Sequence, residues 1–146
     1  MTGKKYIAIV DDHDLFRKGL AVLINSFPGY EVLFGAANGK DFINQLNPYR
    51  LPDIALLDIS MPEMDGYETA EWLQGHYRQV NILALSTMDT ITAIVKMLKN
   101  GAKGYLLKDA EPAELKKALD EAILHEYVYN DLVTPGLIEA IQHSGN

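Results

Sequence analysis

Cysteine is absent from the 146 residues. That excludes disulfides, zinc–thiolate sites, iron–sulfur clusters and a thiol nucleophile. Long apolar runs are absent too, and none approaches the roughly 20 residues that a membrane-spanning helix requires. The opening MTGKKYIAIVDD is basic for two residues and then apolar for only five, which is not the pattern of a secretory leader. Basic side chains are scarce, 13 against 20 acidic, for a formal net charge of -7 with no basic stripe. Such a chain is a poor candidate for gripping nucleic acid by itself. The four histidines, His13, His76, His125 and His143, share no metal-ligand spacing and read as ordinary surface residues. There is no internal repeat and no low-complexity segment. These absences lead to the expectation of a cytoplasmic protein with no membrane contact.

The remaining composition is that of an ordinary globular protein, 48% hydrophobic and 23% charged. A monomer of 16.3 kDa buries roughly 68% of the surface its unfolded chain exposes, enough for one sizeable core and too little for two domains. Short apolar runs alternate with amphipathic stretches. Strands are expected at Tyr6 to Val10, Tyr30 to Phe34, Ile54 to Ile59, Val80 to Leu85 and Tyr105 to Leu107. Between them, Leu15, Phe16, Leu20, Leu23 and Ile24 recur at helical spacing, as do Ile91, Ile94, Val95 and Leu98. A short helix around Phe42, Ile43 and Leu46 must stop before Pro48, and another helix runs from Gly66 to about Gly75. Gly101 is placed for a left-handed helix cap, and Pro112 opens a fifth helix that buries Leu115, Ala118, Leu119, Ala122 and Ile123. Five strands alternating with five helices argue for an α/β fold with a parallel sheet covered on both faces. After His125 the pattern changes. Thr134-Pro135 starts a short sixth helix through Leu137, Ile138 and Ile141, closed by Gly145. This tail reads as an appendage of the domain or the start of a linker.

In open α/β sheets the functional crevice lies at the carboxyl ends of the strands. Here the first strand ends in Asp11-Asp12, the third in Asp58, the fourth in Ser86-Thr87 and the fifth in Lys108. Three carboxylates crowded together repel one another unless a cation sits among them. Oxygen ligands of this kind suit Mg²⁺, which takes one or two carboxylates and keeps several waters. Each residue alone has a plainer explanation: Asp11 a turn or cap at even odds, Ser86 or Thr87 a cap, Lys108 a solvated side chain, Tyr105 simple packing. Asp53 begins its strand and so lies at the opposite, structural end. Asp65-Gly66 reads as a turn and cap, and Glu68 and Glu71 as a solvated helix face.

The segments IVDDHDLFRKGL, LLDISMPEMDGYE, LALST and GAKGYLLKDAEPAEL, in that order and spacing over about residues 5 to 126, resemble the receiver domain of two-component response regulators. The first and last look most like regulators that carry a LuxR-type helix-turn-helix output domain. The resemblance implies a flavodoxin-like (βα)5 doubly wound fold, a five-stranded parallel sheet of strand order 2-1-3-4-5, with the short sixth helix added. It implies a receiver domain over residues 1–126, with 127–146 the start of a linker toward an output domain. It makes Asp58 the phosphoacceptor, charged by a sensor histidine kinase. Mg²⁺ (or Mn²⁺) would be held by Asp12, by Asp11 through water, by Asp58 and by the Ser60 carbonyl. Ser86, Thr87, Lys108 and Tyr105 would form the phosphoryl-binding and switch set, and Pro62 and Gly66 would shape the loop after the acceptor. On phosphorylation, Ser86 would move and Tyr105 would swing into the space it leaves. The face built by the fourth helix, fifth strand and fifth helix would then exchange partners. The implied outcome is homodimerisation and DNA binding through an output domain outside this chain, without turnover chemistry beyond self-phosphorylation and slow self-dephosphorylation. A stand-alone regulator acting by protein contact is the alternative. Family experience ties Ser60 and Met88, each two residues beyond a key position, to dephosphorylation rate. Asp109 replaces the proline that often follows the lysine, so the sequence leaves open whether that peptide is cis.

Three competitors share features with this reading. A haloacid-dehalogenase-like phosphatase also uses Mg²⁺ and an aspartate nucleophile, but carries DxD after its first strand where this chain has DDHD. A nucleotide or flavin carrier needs a phosphate-cradling loop where Asp11 and Asp12 stand. A receiver-like module that is never phosphorylated has no use for the acid–hydroxyl–lysine set.

Overall fold

A computed structural model describes residues 3–144. In chain order its elements are β1 (Lys5–Val10), α1 (Asp14–Ser26), β2 (Tyr30–Ala36), α2 (Gly39–Gln45), β3 (Ile54–Leu57), α3 (Gly66–His76), β4 (Asn81–Ser86), α4 (Ile91–Lys99), β5 (Gly104–Leu107), α5 (Pro112–Leu124) and α6 (Pro135–Ser144). The strands form one sheet in the order β2-β1-β3-β4-β5, and every neighbouring pair is parallel. The expected α/β fold, strand order and sixth helix are all present.

Alternation along the strands divides the core in two. Ala8, Val10, Ala55, Leu57, Ile82, Ala84 and Tyr105 point to one face, where they meet Phe42, Ala70, Leu73, Ile94 and Met97 of α2, α3 and α4. Ile7, Ile9, Ile54, Leu56, Leu83, Leu85 and Leu106 point to the other, where they meet Leu20, Ile24, Leu115 and Leu119 of α1 and α5. Because both faces are covered, the strands read as continuous aliphatic runs rather than alternating ones.

Element ends follow local chemistry. The third strand stops at Leu57, two residues before the expected Ile59. There the Asp58 carboxylate accepts the Ile59 N–H at 2.8 Å and turns the chain out of the ladder. The second strand runs on to Ala36, beyond the expected Phe34, because Val10 still has a partner there and the Asp11 N–H bonds the Ala36 carbonyl. Gly101 takes φ 108°, and the Ala102 N–H reaches back to the Met97 carbonyl, closing α4 as its position predicts. Asp65 and Glu68 form a reciprocal capping box at the start of α3. Glu68 thus has a specific local partner rather than being only a solvated side chain. At the opposite end of the sheet from the acid cluster, Asp53 joins three strands. Its carboxylate accepts the Tyr6 N–H at 2.7 Å and its carbonyl accepts the Asn81 N–H, which is the structural role expected of it.

The segment after α5 lies against the body. Val128, Val133 and Ile138 are buried, the last two in the same cluster as Tyr105 and Met97. Asn130 organises this stretch: its side-chain oxygen accepts the N–H groups of Leu132 and Val133, and its amide donates to the Tyr105 carbonyl at 2.9 Å. Thr134 caps α6 through the Leu137 N–H, as the Thr-Pro pair predicts. The expected closure at Gly145 falls outside the described residues.

Candidate functional site

The strand order reverses between β1 and β3, so the loops leaving their carboxyl ends diverge to opposite faces and leave a crevice. Asp11 and Asp58 each stand one residue past these strands and are buried. Lys108, one residue past β5, reaches across and places its Nζ 2.7 Å from Asp11 Oδ2 and 3.0 Å from Asp58 Oδ2. The same Nζ lies over the Phe16 ring, 4.8 Å from its centroid. Asp12 is more exposed at the mouth, and one atom from each of Asp11, Asp12, His13 and Asp58 falls within 4.8 Å of all the others.

The electrostatics follow from burial and neighbours. Burial pushes the Asp58 carboxyl above the usual carboxylate range. The Lys108 ammonium opposes that rise, the Asp11 charge adds to it, and the Ile59 N–H opposes it. Burial by itself would lower the Lys108 ammonium, but its bonds to Asp11 and Asp58 outweigh that and raise it. Three acids and one ammonium therefore share this pocket.

The remaining expected residues divide into two groups. Ser86, at the end of β4, is buried, and its hydroxyl accepts the Met88 N–H at 3.0 Å. Tyr105 is fully buried and donates its hydroxyl to the Met88 carbonyl at 2.6 Å. The ring therefore already lies inside, not outside awaiting space, and the backbone of Met88 ties Ser86 to Tyr105 through its N–H on one side and its carbonyl on the other. Gly66 starts α3 directly under the loop that leaves Asp58. A Cβ there would lie 2.1 Å from the Asp58 carbonyl oxygen, so only glycine fits. Pro62 sits on the exposed loop, where its carbonyl accepts the Met64 N–H across Glu63, which has φ 66°. Ser60 is exposed and its hydroxyl is 3.8 Å from Met88 Sδ, so the two positions flanking the pocket touch. Thr87 is exposed at the rim, where it lines a cavity with His13, Asp89 and Lys108. The Lys108–Asp109 peptide is trans.

His13 departs from its expected role as an ordinary surface residue. Its ring nitrogen Nδ1 lies 3.1 Å from Asp11 and 3.4 Å from Asp12. The missed signal was adjacency: a residue directly after two pocket acids, at the mouth of a helix, cannot be far from the pocket.

The response regulator receiver domain family matches residues 7–120. The chain belongs to that family. This receiver domain is 38% identical over 136 residues to the nitrate/nitrite response regulator protein NarL of Escherichia coli K12, covering 93% of this chain and 62% of that protein. It is 34% identical over 135 residues to the transcriptional regulatory protein DegU of Brevibacillus brevis, covering 89% of this chain and 57% of that protein. Among solved structures it resembles the signal receiver domain of a NarL response regulator from Mycobacterium tuberculosis. That match has TM-score 0.76 and 33% identity over 83% of this chain and 98% of the other. The receiver domain thus spans about six-tenths of the length of these curated relatives. The match to a signalling family, with carboxylates in the loop after β1, leaves the phosphatase and nucleotide-carrier readings without support.

Proposed function

We propose that this receiver domain accepts a phosphoryl group on Asp58 from the phosphohistidine of a sensor kinase. The observation that carries the reading is Lys108 bridging Asp11 and Asp58, which brings the ends of three separate strands into one pocket. A carboxylate oxygen of Asp58 attacks phosphorus in line as the bond to the histidine nitrogen breaks, and the departing imidazole keeps that electron pair. The chemistry is mostly positioning and charge stabilisation, and this pocket supplies both. Asp11, Asp12, Asp58 and the Ser60 carbonyl would hold Mg²⁺ (or Mn²⁺), which neutralises phosphoryl oxygens when bound. Lys108 pairs with another phosphoryl oxygen, and Ser86 turns its hydroxyl toward the group. In doing so Ser86 gives up the Met88 N–H, and Tyr105, bonded to the carbonyl of the same residue, responds. The added charge of about -1 to -2 biases an existing equilibrium at the face of α4, β5 and α5. Thr87 and Pro62 act from the rim.

Residues 1–126 form the receiver unit in this reading, with 127–146 leading toward an output domain. The lengths of the curated relatives and the words "transcriptional regulatory protein" in one of their names support DNA binding through that domain. Homodimerisation on phosphorylation is part of the same proposal. Among the described residues no helix is long and apolar enough to cross a membrane, which is compatible with work in the cytoplasm.

Asp58→Asn removes the nucleophile while keeping the shape. Incubation with acetyl phosphate and Mg²⁺, or with a phosphorylated kinase, is expected to give an acid-labile phosphoryl adduct on the parent chain and none on the variant. Equal phosphorylation of the variant overturns the assignment.

A further inference from the structure

The His13 side chain has no role in capping its own helix. The residue is the N-cap of α1, yet its side chain makes no capping hydrogen bond. Its backbone N–H donates to Asp11 Oδ1 at 2.8 Å, and this holds the residue over the pocket. The ring turns Nδ1 inward, 3.1 Å from Asp11 Oδ1, 3.4 Å from Asp12 Oδ1 and 4.0 Å from Asp58 Oδ2. On its other side lies Lys108 Nζ at 3.3 Å.

These spacings have a simple geometric counterpart. Six ligands at about 2.1 Å from one ion place neighbours about 3.0 Å apart and opposite ligands about 4.2 Å apart. The His13 nitrogen stands near the neighbour distance from Asp11 and Asp12, and near the opposite distance from Asp58. A divalent ion among the acids satisfies the bare nitrogen and every carboxylate at once.

We propose that His13 is a nitrogen ligand, through Nδ1, to the divalent ion of this pocket, and that it tilts the pocket toward imidazole-preferring ions such as Co²⁺ and Zn²⁺. The proposal rests on the reading that the acids hold a divalent ion at all. Mg²⁺ is bound through oxygen and parts with water reluctantly, so it gains little from an added imidazole, whereas Co²⁺ and Zn²⁺ gain a ligand suited to them. The ring is 65% exposed, so it can be replaced without opening the core.

The test compares Mg²⁺, Co²⁺ and Zn²⁺ binding by calorimetry, together with the visible absorption of bound Co²⁺, in the parent chain, His13→Ala, His13→Gln and Asp12→Asn. Loss of the imidazole is expected to weaken Co²⁺ and Zn²⁺ by about tenfold or more, to change Mg²⁺ by less than about twofold, and to alter the Co²⁺ spectrum. Equal weakening of all three ions in both His13 variants, or an unchanged Co²⁺ affinity and spectrum, overturns the role of His13 and leaves the ion-binding reading intact. If the parent chain binds none of the ions, or binds them equally well with Asp12→Asn, the ion-binding reading fails and takes the proposal with it.

Discussion

Lys108 shows how much one side chain is asked to balance. It is the ammonium shared by two buried carboxylates, and the spacing of the sequence announced it because a strand must end where it stands. Asp11, Asp12, Asp58 and Ser86 were legible for the same reason: a parallel sheet delivers its strand ends to one rim. The direction of the His13 ring was not legible, since spacing fixes where a Cα lies and not where an exposed side chain turns. A second residue pair, away from the rim, was likewise invisible in the sequence. Tyr30, at the start of β2, donates its hydroxyl to Asp120 of α5 at 2.6 Å across 90 positions. Burial and the neighbouring carboxylate raise the Tyr30 phenol, so it stays a neutral donor. Burial would raise the Asp120 carboxyl, but the bonds from Tyr30 and Lys116 outweigh it and hold the carboxyl below the usual range. A carboxyl depressed in the fold contributes stability above its unfolded value, and that contribution is lost as pH falls through the folded one. Tyr30→Phe is therefore expected to destabilise by about 1 kcal/mol at neutral pH, a figure kept small because Asp120 is partly solvated. The gap should narrow below about pH 4, as followed by denaturant unfolding across pH.

Among the elements, the loop from Asp58 to α3 is the one most tightly specified. The Gly66 N–H bonds the Ile59 carbonyl at 2.8 Å, and the absent Cβ leaves room for the Asp58 backbone. Gly66→Ala must push the acceptor loop away. It is expected to lower stability by about 1 to 3 kcal/mol and to slow phosphorylation of Asp58. Paired denaturation and acetyl phosphate time courses check both parts. Gly66 was readable beside Asp65 as a turn, but the backbone it accommodates belongs to a different element and cannot be seen from composition. Strand positions were readable because burial on both faces makes them aliphatic throughout. Their last residues were not, since Asp58 ends β3 with its own side chain and Ala36 prolongs β2 only because Val10 lies opposite. The Asn130 turn was also missed, although Asn-Asp is turn chemistry, because its purpose is a carbonyl 25 positions earlier.

At the scale of the molecule the two halves of the core are closed differently. The face of α1 and α5 receives Val128 from the tail, whereas the face of α2, α3 and α4 receives Val133 and Ile138. Gly104 marks where the tail begins to dock: a Cβ there would meet Val128 at 2.8 Å. A chain ending at residue 126 loses these contacts. It is expected to be less stable by several kcal/mol, on the scale of about 1.5 to 3 kcal/mol for each buried aliphatic side chain withdrawn. Calorimetric unfolding of the two lengths measures the difference.

β5 is the last strand of the sheet, and its outer side faces no other strand. The tail occupies that side, with the Val128 N–H on the Lys103 carbonyl and the Asn130 amide on that of Tyr105. Stripped of this cover, the run Gly-Tyr-Leu-Leu would present free backbone groups to any neighbouring molecule, the usual template for edge-to-edge self-association. The tail therefore guards solubility, and light scattering of a shortened chain at rising concentration would register its loss before any change at the acid pocket.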